Sequence, residues 1–114
     1  LDRDALDACA ATLSGEPDFT AFTPTDTSHP RFARTVASAA WRADGALLEF
    51  WIMADTFMRS MHRILVGTML EVATGRRTLE DFTALLDGAP RSQAGPTAAP
   101  HGLALATVAY PPQP

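Results

Sequence analysis

The chain contains no lysine, so all nine of its basic residues are arginines, and thirteen acidic residues outnumber them. The formal charge is therefore −4 and the pI is about 5.1. A free-standing nucleic-acid-binding domain is usually basic, so this balance argues against a domain that holds RNA by charge alone. Arginine nevertheless offers forked donors for carboxylates and phosphates that lysine cannot match.

Cysteine, histidine and long apolar runs are also scarce. Cys9 is the only cysteine, which excludes an internal disulfide and fits a reducing cytoplasm. The three histidines are far apart and none has a metal-ligand spacing, so we expect no metal site. No stretch approaches the roughly 18 uncharged apolar residues of a membrane span, and charged residues at 2–4 argue against a signal peptide. The first residue is Leu1 rather than Met, which predicts a fragment or a trimmed chain.

Apolar residues make up 46% of the 114 positions, enough for one domain with a modest core. Helical spacing of these residues predicts helices over about 2–13, 56–74 and 78–86. Asp55 is the expected N-cap of the long helix, and Thr78 with Asp81 forms a capping box for the next one. Strands are predicted at 34–41, 46–54 and 103–110, and Asp44-Gly45 marks a tight turn between the first two.

These elements predict an α+β fold, an antiparallel sheet of about three strands with helices packed on one face. The second strand is apolar on both faces, which indicates a central strand covered on both sides. We expect one domain over 1–110 and a frayed Pro-rich tail at 111–114. If the sheet is part of a larger one, we expect self-association into a homo-oligomer, such as a homodimer, through its unpaired edge or through the apolar helix face.

The long helix carries the most informative residues. Arg59, Arg63, Gly67 and Glu71 follow one another at intervals of four and so lie on one stripe. A glycine inside a helix costs about 1 kcal/mol relative to alanine, so Gly67 indicates a close approach by another backbone or by a flat ligand. Arg63 borders the apolar face, and it either extends its charged end to solvent or pairs with a carboxylate outside this stretch.

A second group of candidate residues surrounds the loop over 90–102. Gly102 permits a tight turn, and Leu103 begins the last strand, where it is either plain core or the wall of a pocket. Arg76 and Arg77 follow the long helix, where they either complement its dipole or contact phosphate. No phosphate loop, catalytic triad or paired carboxylates are evident, so the chain by itself offers no convincing nucleophile or general base.

Three stretches together resemble one family, the tRNA pseudouridine synthase A family. The first is Gly-Glu-Pro-Asp-Phe-Thr-Ala-Phe at 15–22. The second is Phe-Met-Arg-Ser-Met-His-Arg at 57–63, continuing through Val-Gly-Thr-Met-Leu-Glu-Val at 66–72. The third is Arg-Ser-Gln-Ala-Gly-Pro-Thr-Ala at 91–98, followed by Pro-His-Gly-Leu at 100–103. The resemblance covers nearly the whole chain and matches the C-terminal portion of the family.

The resemblance implies an isomerase that converts uridine to pseudouridine in the anticodon stem-loop of tRNA without a cofactor. It implies that the catalytic Asp lies in an N-terminal half that this chain lacks, so that the isolated chain is inactive. Arg63 would pair with that Asp, and Leu103 would form the apolar wall beside the flipped base. The expected partners are tRNA and the missing N-terminal domain. The arginines that we expect at the RNA are Arg59, Arg76, Arg77 and Arg91, and the close-approach glycines are Gly67 and Gly102.

Two other hypotheses stand beside this one. The chain could be a non-catalytic RNA-binding or dimerisation module of the same fold, although its acidic pI argues mildly against RNA binding by this piece alone. It could also be a small-molecule enzyme of an unrelated family, for which the sequence offers no nucleophile.

Overall fold

The computed structural model describes residues 2–24, 32–45, 47–55, 60–98 and 104–109. In chain order it contains helix α1 (Arg3–Ala11), a 3₁₀ turn (Thr20–Phe22), strands β1 (Val36–Asp44) and β2 (Leu47–Ala54), helices α2 (Met61–Ala73) and α3 (Leu79–Ala84), a second 3₁₀ turn (Arg91–Gln93) and strand β3 (Ala104–Ala109). The α+β class predicted from the sequence is confirmed. No helix among these residues is long and apolar enough to cross a membrane.

The three strands form one sheet in the order β1-β2-β3, so β2 is central, as predicted. β1 and β2 are antiparallel, with Trp41 opposite Phe50. β3 instead runs parallel to β2, with Thr107 opposite Ile52. The predicted antiparallel arrangement is therefore wrong for this one pair of strands. A short turn at Gly45 joins β1 to β2, whereas α2, α3 and a loop separate β2 from β3. Such a long crossover returns the chain to the end from which β2 started.

The two faces of the sheet differ in burial. Phe50, Ile52 and Ala54 point from β2 to the inner face and are at most 1% exposed, and Trp41 of β1 packs on Phe50 at 5.2 Å between ring centroids. The helices cover this face. Met53 points to the outer face and is 39% exposed. Among the described residues β2 is therefore covered on one side, not on both as its composition predicted.

The helix termini follow local capping chemistry. Asp2 caps α1, since its carboxylate accepts a hydrogen bond from the Ala5 N–H at 3.1 Å. Thr78 caps α3 in the predicted way, because its hydroxyl accepts from the Asp81 N–H at 3.1 Å. Gly75, with φ of +80°, ends α2.

The start of α2 differs from the prediction. The helix begins at Met61 rather than at Thr56, because Ser60 has a left-handed φ of 58° that a right-handed helix cannot accommodate. Asp55 is therefore not the N-cap of α2. Its carboxylate accepts a hydrogen bond from the Thr35 N–H at 3.1 Å and so ties the end of β2 to the approach to β1.

The core lies between the inner sheet face and the helices. Phe19 and Phe22 anchor the loop after α1, and both are fully buried. Their rings meet edge to face at 6.2 Å, and Phe22 also contacts Phe82 of α3 at 5.9 Å. α2 contributes much of the remaining core through Met61, Ile64, Leu65, Val66 and Met69.

Candidate active site

The loop over 91–98 lies along the stripe of α2 that carries Arg63, Gly67 and Glu71. We call this contact between the loop and α2 the loop–helix contact. Arg59, the first member of the predicted stripe, lies outside the described residues, as do Gly102 and Leu103. The described part of the candidate site is therefore α2 together with the loop that leads toward Leu103.

Arg63 is half-buried and is held by the loop. Its Nε–H donates a hydrogen bond to the Ala98 carbonyl oxygen at 2.9 Å. The Ala98 N–H in turn donates to the Arg63 carbonyl oxygen, also at 2.9 Å. Arg63 thus uses its side chain and its backbone to bind the carbonyl oxygen and the N–H of Ala98. No pattern in the sequence indicated this local partner.

No carboxylate among the described residues pairs with Arg63. Its bond to Ala98 uses Nε alone, which leaves the two terminal nitrogens as a forked pair of donors. A carboxylate or a phosphate is the acceptor that fits such a fork. The geometry therefore presents an oriented cation whose terminal edge is available to an acidic group.

Gly67 faces the backbone of the loop. A Cβ built at this position would overlap the Pro96 carbonyl oxygen and would lie 2.9 Å from the Pro96 carbonyl carbon and 3.3 Å from the Ala98 nitrogen. The close approach that a helix-interior glycine indicated is thus made by another stretch of backbone. Any side chain at this position would push the loop away from Arg63.

Gly95 makes the matching approach from the loop side. Its N–H donates to the Thr68 hydroxyl oxygen at 2.9 Å, in a fully buried position. A Cβ on Gly95 would lie 3.1 Å from the Thr68 Cα and would also collide with the Glu71 carboxylate. The loop–helix contact therefore needs a glycine on each of its two sides.

The three described arginines predicted to contact RNA have different environments. Arg77 pairs with Glu71 at 3.1 Å and is only 17% exposed. Arg91 is half-buried and donates from Nη1 to the Gly95 carbonyl oxygen at 2.9 Å, which holds the loop in its own shape. Arg76 is exposed at the rim of an open groove of about 400 Å³ between α2 and the loop. Of the three, Arg76 has the most accessible side chain.

His62 lies beside Arg63 at the start of α2 and is half-buried. Its pKa is lowered below the usual 6.5, chiefly because burial penalises the charged imidazolium and further because the Arg63 cation repels it. His62 is therefore a neutral neighbour of Arg63 near neutral pH, and it does not add a second positive charge there.

Sequence reasoning missed two parts of this site. Thr68 was not singled out from the sequence, yet its hydroxyl is the buried acceptor that holds the loop. Gly95 was not singled out either, although this residue packs against Glu71 and Thr68. A polar residue among apolar ones at helical spacing is the signal that could have identified Thr68, because a buried hydroxyl needs a partner.

The chain is similar in sequence to known proteins. The family model described as tRNA pseudouridine synthase matches residues 9–111. The chain is 41% identical over 110 residues to the tRNA pseudouridine synthase A of Geobacillus kaustophilus, a match that covers 96% of this chain and 43% of the relative. It is 40% identical over 119 residues to that of Chloroflexus aurantiacus, which covers 98% of this chain and 42% of the relative.

A third relative has a similar identity and a similar coverage. The tRNA pseudouridine synthase A of a Geobacter species (strain M21) is 36% identical over 112 residues, covering 97% of this chain and 45% of the relative. The chain thus spans less than half the length of these curated relatives. Since the family model covers nearly all of its residues, the chain belongs to the tRNA pseudouridine synthase family.

Proposed function

We propose that this chain forms part of an enzyme that converts uridine to pseudouridine in the anticodon stem-loop of tRNA, with its catalytic Asp supplied from outside this chain. The relatives named tRNA pseudouridine synthase A support the reaction and the substrate class. The observation that carries the proposal is Arg63, which the loop holds by Nε while its terminal nitrogens face no carboxylate among the described residues.

The proposed reaction explains why such an arginine is needed. The bond between N1 of the base and C1′ of the sugar breaks, the base turns, and C5 becomes bonded to C1′. The proton on C5 is lost and N1 gains one, so the atoms balance without a redox partner or a cosubstrate, in keeping with an enzyme that uses no cofactor. The catalytic carboxylate must be ionised, and an adjacent guanidinium favours that form.

The base must leave its stack before it reacts, at a cost of a few kcal/mol. We propose that Leu103, which lies outside the described residues, supplies an apolar wall for the extruded base. The loop over 91–98 precedes this residue in the sequence, and the Ala98 carbonyl oxygen of that loop accepts a hydrogen bond from Arg63 Nε. The charged and the apolar parts of the pocket would thus be set by one loop.

Phosphate contacts are proposed for Arg59, Arg76, Arg77 and Arg91. Arg76 is the best supported of the described members because it is exposed. Arg77 and Arg91 already serve protein contacts, with Glu71 and Gly95 respectively. We therefore expect Arg76→Ala to weaken tRNA binding and its salt dependence more than either of the other two substitutions.

The test compares this chain alone with a chimera in which the chain replaces the matching portion of the Geobacillus kaustophilus relative. Both are incubated with a tRNA transcript, and pseudouridine is mapped by carbodiimide treatment and primer extension. We expect stops at anticodon-arm uridines with the chimera and none with the chain alone. A folded chimera that modifies no uridine would overturn the proposal. If that protein still shifted tRNA in a gel, the non-catalytic module would take its place.

Self-association is a further part of the proposal. β1 and β3 are the outer strands of the described sheet. Gly15 pairs with Val36 through two backbone hydrogen bonds, of 3.0 and 2.7 Å, and so covers the start of β1. Arg3 Nη2 also donates to the Trp41 carbonyl oxygen at 2.6 Å, so we propose that association uses the outer edge of β3 or an apolar helix face. Light scattering at high protein concentration should detect a homo-oligomer, and a strict monomer would contradict this part.

A further inference from the structure

Thr68 occupies an unusual position in the core. It is fully buried on α2 among apolar neighbours. Its hydroxyl donates to the Ile64 carbonyl oxygen one turn earlier at 2.8 Å and accepts the Gly95 N–H at 2.9 Å. The hydroxyl hydrogen is used within the helix, so a lone pair is aimed at the loop. This side chain therefore links the two sides of the loop–helix contact from within the core.

The link continues from Gly95 to Arg63 along the backbone of the loop. After Gly95, the Pro96 carbonyl lies against Gly67, where no Cβ stands in its way. Ala98 then pairs with Arg63 through both its N–H and its carbonyl oxygen. Three loop residues, Gly95, Pro96 and Ala98, thus contact three residues of α2. The Ala98 carbonyl orients the guanidinium through Nε. Its position depends on where the loop is bonded to α2.

We infer that Thr68 is a positioning residue for Arg63: by fastening Gly95, its hydroxyl fixes the Ala98 carbonyl that aims the guanidinium at the catalytic carboxylate. This inference rests on the proposed function and goes beyond it, because Thr68 touches neither substrate nor carboxylate. Its effect should appear in the rate of the chemical step and not in the affinity for tRNA.

Substitution by valine isolates the hydroxyl. Thr68→Val keeps the branched shape and removes the acceptor, so the buried Gly95 N–H loses its partner. Thr68→Ser keeps the acceptor and should rescue the loop. Thr74→Val is the matched control, since the Thr74 hydroxyl bonds only within α2, to the Leu70 carbonyl at 3.0 Å and the Glu71 carbonyl at 3.4 Å.

The first measurement uses the 114-residue chain and NMR. Thr68→Val should speed amide exchange of Gly95 and Ala98 by about tenfold. It should also move the Arg63 Nε–H signal toward that of a solvent-exposed arginine. Thr68→Ser and Thr74→Val should leave all three signals near their original state. Faster exchange at Gly95 alone, with Ala98 and Arg63 unchanged, would overturn the inference, because Thr68 would then fasten only its own neighbour.

The second measurement uses the chimera and tRNA. Thr68→Val should lower kcat by about tenfold while KM stays within about twofold, and Thr68→Ser should restore kcat. A raised KM with unchanged kcat would contradict a positioning role. If the unsubstituted chimera is folded but inactive, the proposed function fails, and the NMR signals alone then decide whether Thr68 orients Arg63.

Discussion

The two sides of α2 are built on different principles. The side that faces the core carries Met61, Ile64, Leu65 and Met69, which are at most 1% exposed and interact through apolar contact. The side that faces the loop carries a half-buried arginine, a glycine and a half-buried glutamate. Apolar contact depends mainly on volume, whereas the loop side depends on hydrogen bonds and on the closest approach of two backbones. α2 thus stabilises the fold through its core side and orients Arg63 through its loop side.

This difference predicts two kinds of response to substitution. On the core side, changes should lower the free energy of unfolding and leave the loop in place. On the loop side, changes should displace Arg63 even where the fold survives. Three substitutions and one titration test this division.

Leu65→Ala removes a fully buried side chain from the core side. We expect the free energy of unfolding to fall by roughly 2–5 kcal/mol, because the cavity closes only in part. The half-buried Leu70 provides the control, and Leu70→Ala should cost only about 1 kcal/mol. Urea denaturation of both variants measures the difference. Equal losses would contradict the assignment of the core side.

Gly67→Ala tests the loop side by whether it raises or lowers the free energy of unfolding. Helix propensity alone would stabilise the protein by about 1 kcal/mol. Overlap of the new methyl group with the Pro96 backbone carbonyl should cost about 2–3 kcal/mol, so we expect a net loss of roughly 1–2 kcal/mol together with faster exchange of the Ala98 amide. A stabilised variant with a protected Ala98 amide would show that the loop does not lie against Gly67.

Glu71→Gln removes the charge that holds Arg77. Both partners are well shielded, at 17% and 25% exposure, so a loss of about 1 kcal/mol in the free energy of unfolding is expected. The control is Asp7→Asn, which breaks the more exposed pair with Arg3, whose partners are 41% and 51% exposed. In the same denaturation experiment, the control should show almost no change in the free energy of unfolding. A larger loss in Asp7→Asn than in Glu71→Gln would reverse the expected order.

The titration of His62 gives the smallest and most local effect. Its pKa is lowered, so the free energy of unfolding should be constant above about pH 6.5 and should fall as the pH drops below that value. NMR should place the imidazole midpoint below 6.5. Removing the neighbouring cation in Arg63→Gln should raise the midpoint, though not fully, since burial remains the larger cause.

His62→Gln is the control for that titration and should flatten the dependence of stability on pH in this range. A midpoint that does not move in Arg63→Gln would mean that the two side chains do not sense each other. The loop side of α2 would then carry less electrostatic coupling than the structure indicates.

Local patterns in the sequence predicted the elements well because each depended on nearby residues. The capping box of α3 and the glycine at the end of α2 required only short-range chemistry. The predicted start of α2 was wrong because no reliable pattern in the sequence indicates the left-handed conformation of Ser60. The prediction that β2 is covered on both faces does not hold among the described residues, because composition cannot show which apolar face the helices cover.

The candidate site was predictable only in part. The spacing of Arg63, Gly67 and Glu71 correctly gave one stripe of α2, since helical geometry fixes which residues share a side. The partner of Arg63 at Ala98 lies 35 residues away and uses backbone atoms, which no side-chain pattern encodes. Thr68 was missed for the same reason, because its acceptor role depends on where a distant loop passes.

The most direct test of the account is the activity of Arg63→Ala in the chimera with tRNA, measured as pseudouridine formed per minute at saturating substrate. We predict a fall in kcat of at least about a hundredfold, since the proposed function gives Arg63 the role of an oriented charge beside the catalytic carboxylate. Thermal unfolding should show that the variant still folds. A folded Arg63→Ala enzyme with unchanged kcat would contradict the account, because the residue that the loop and α2 hold in place would then have no part in the reaction.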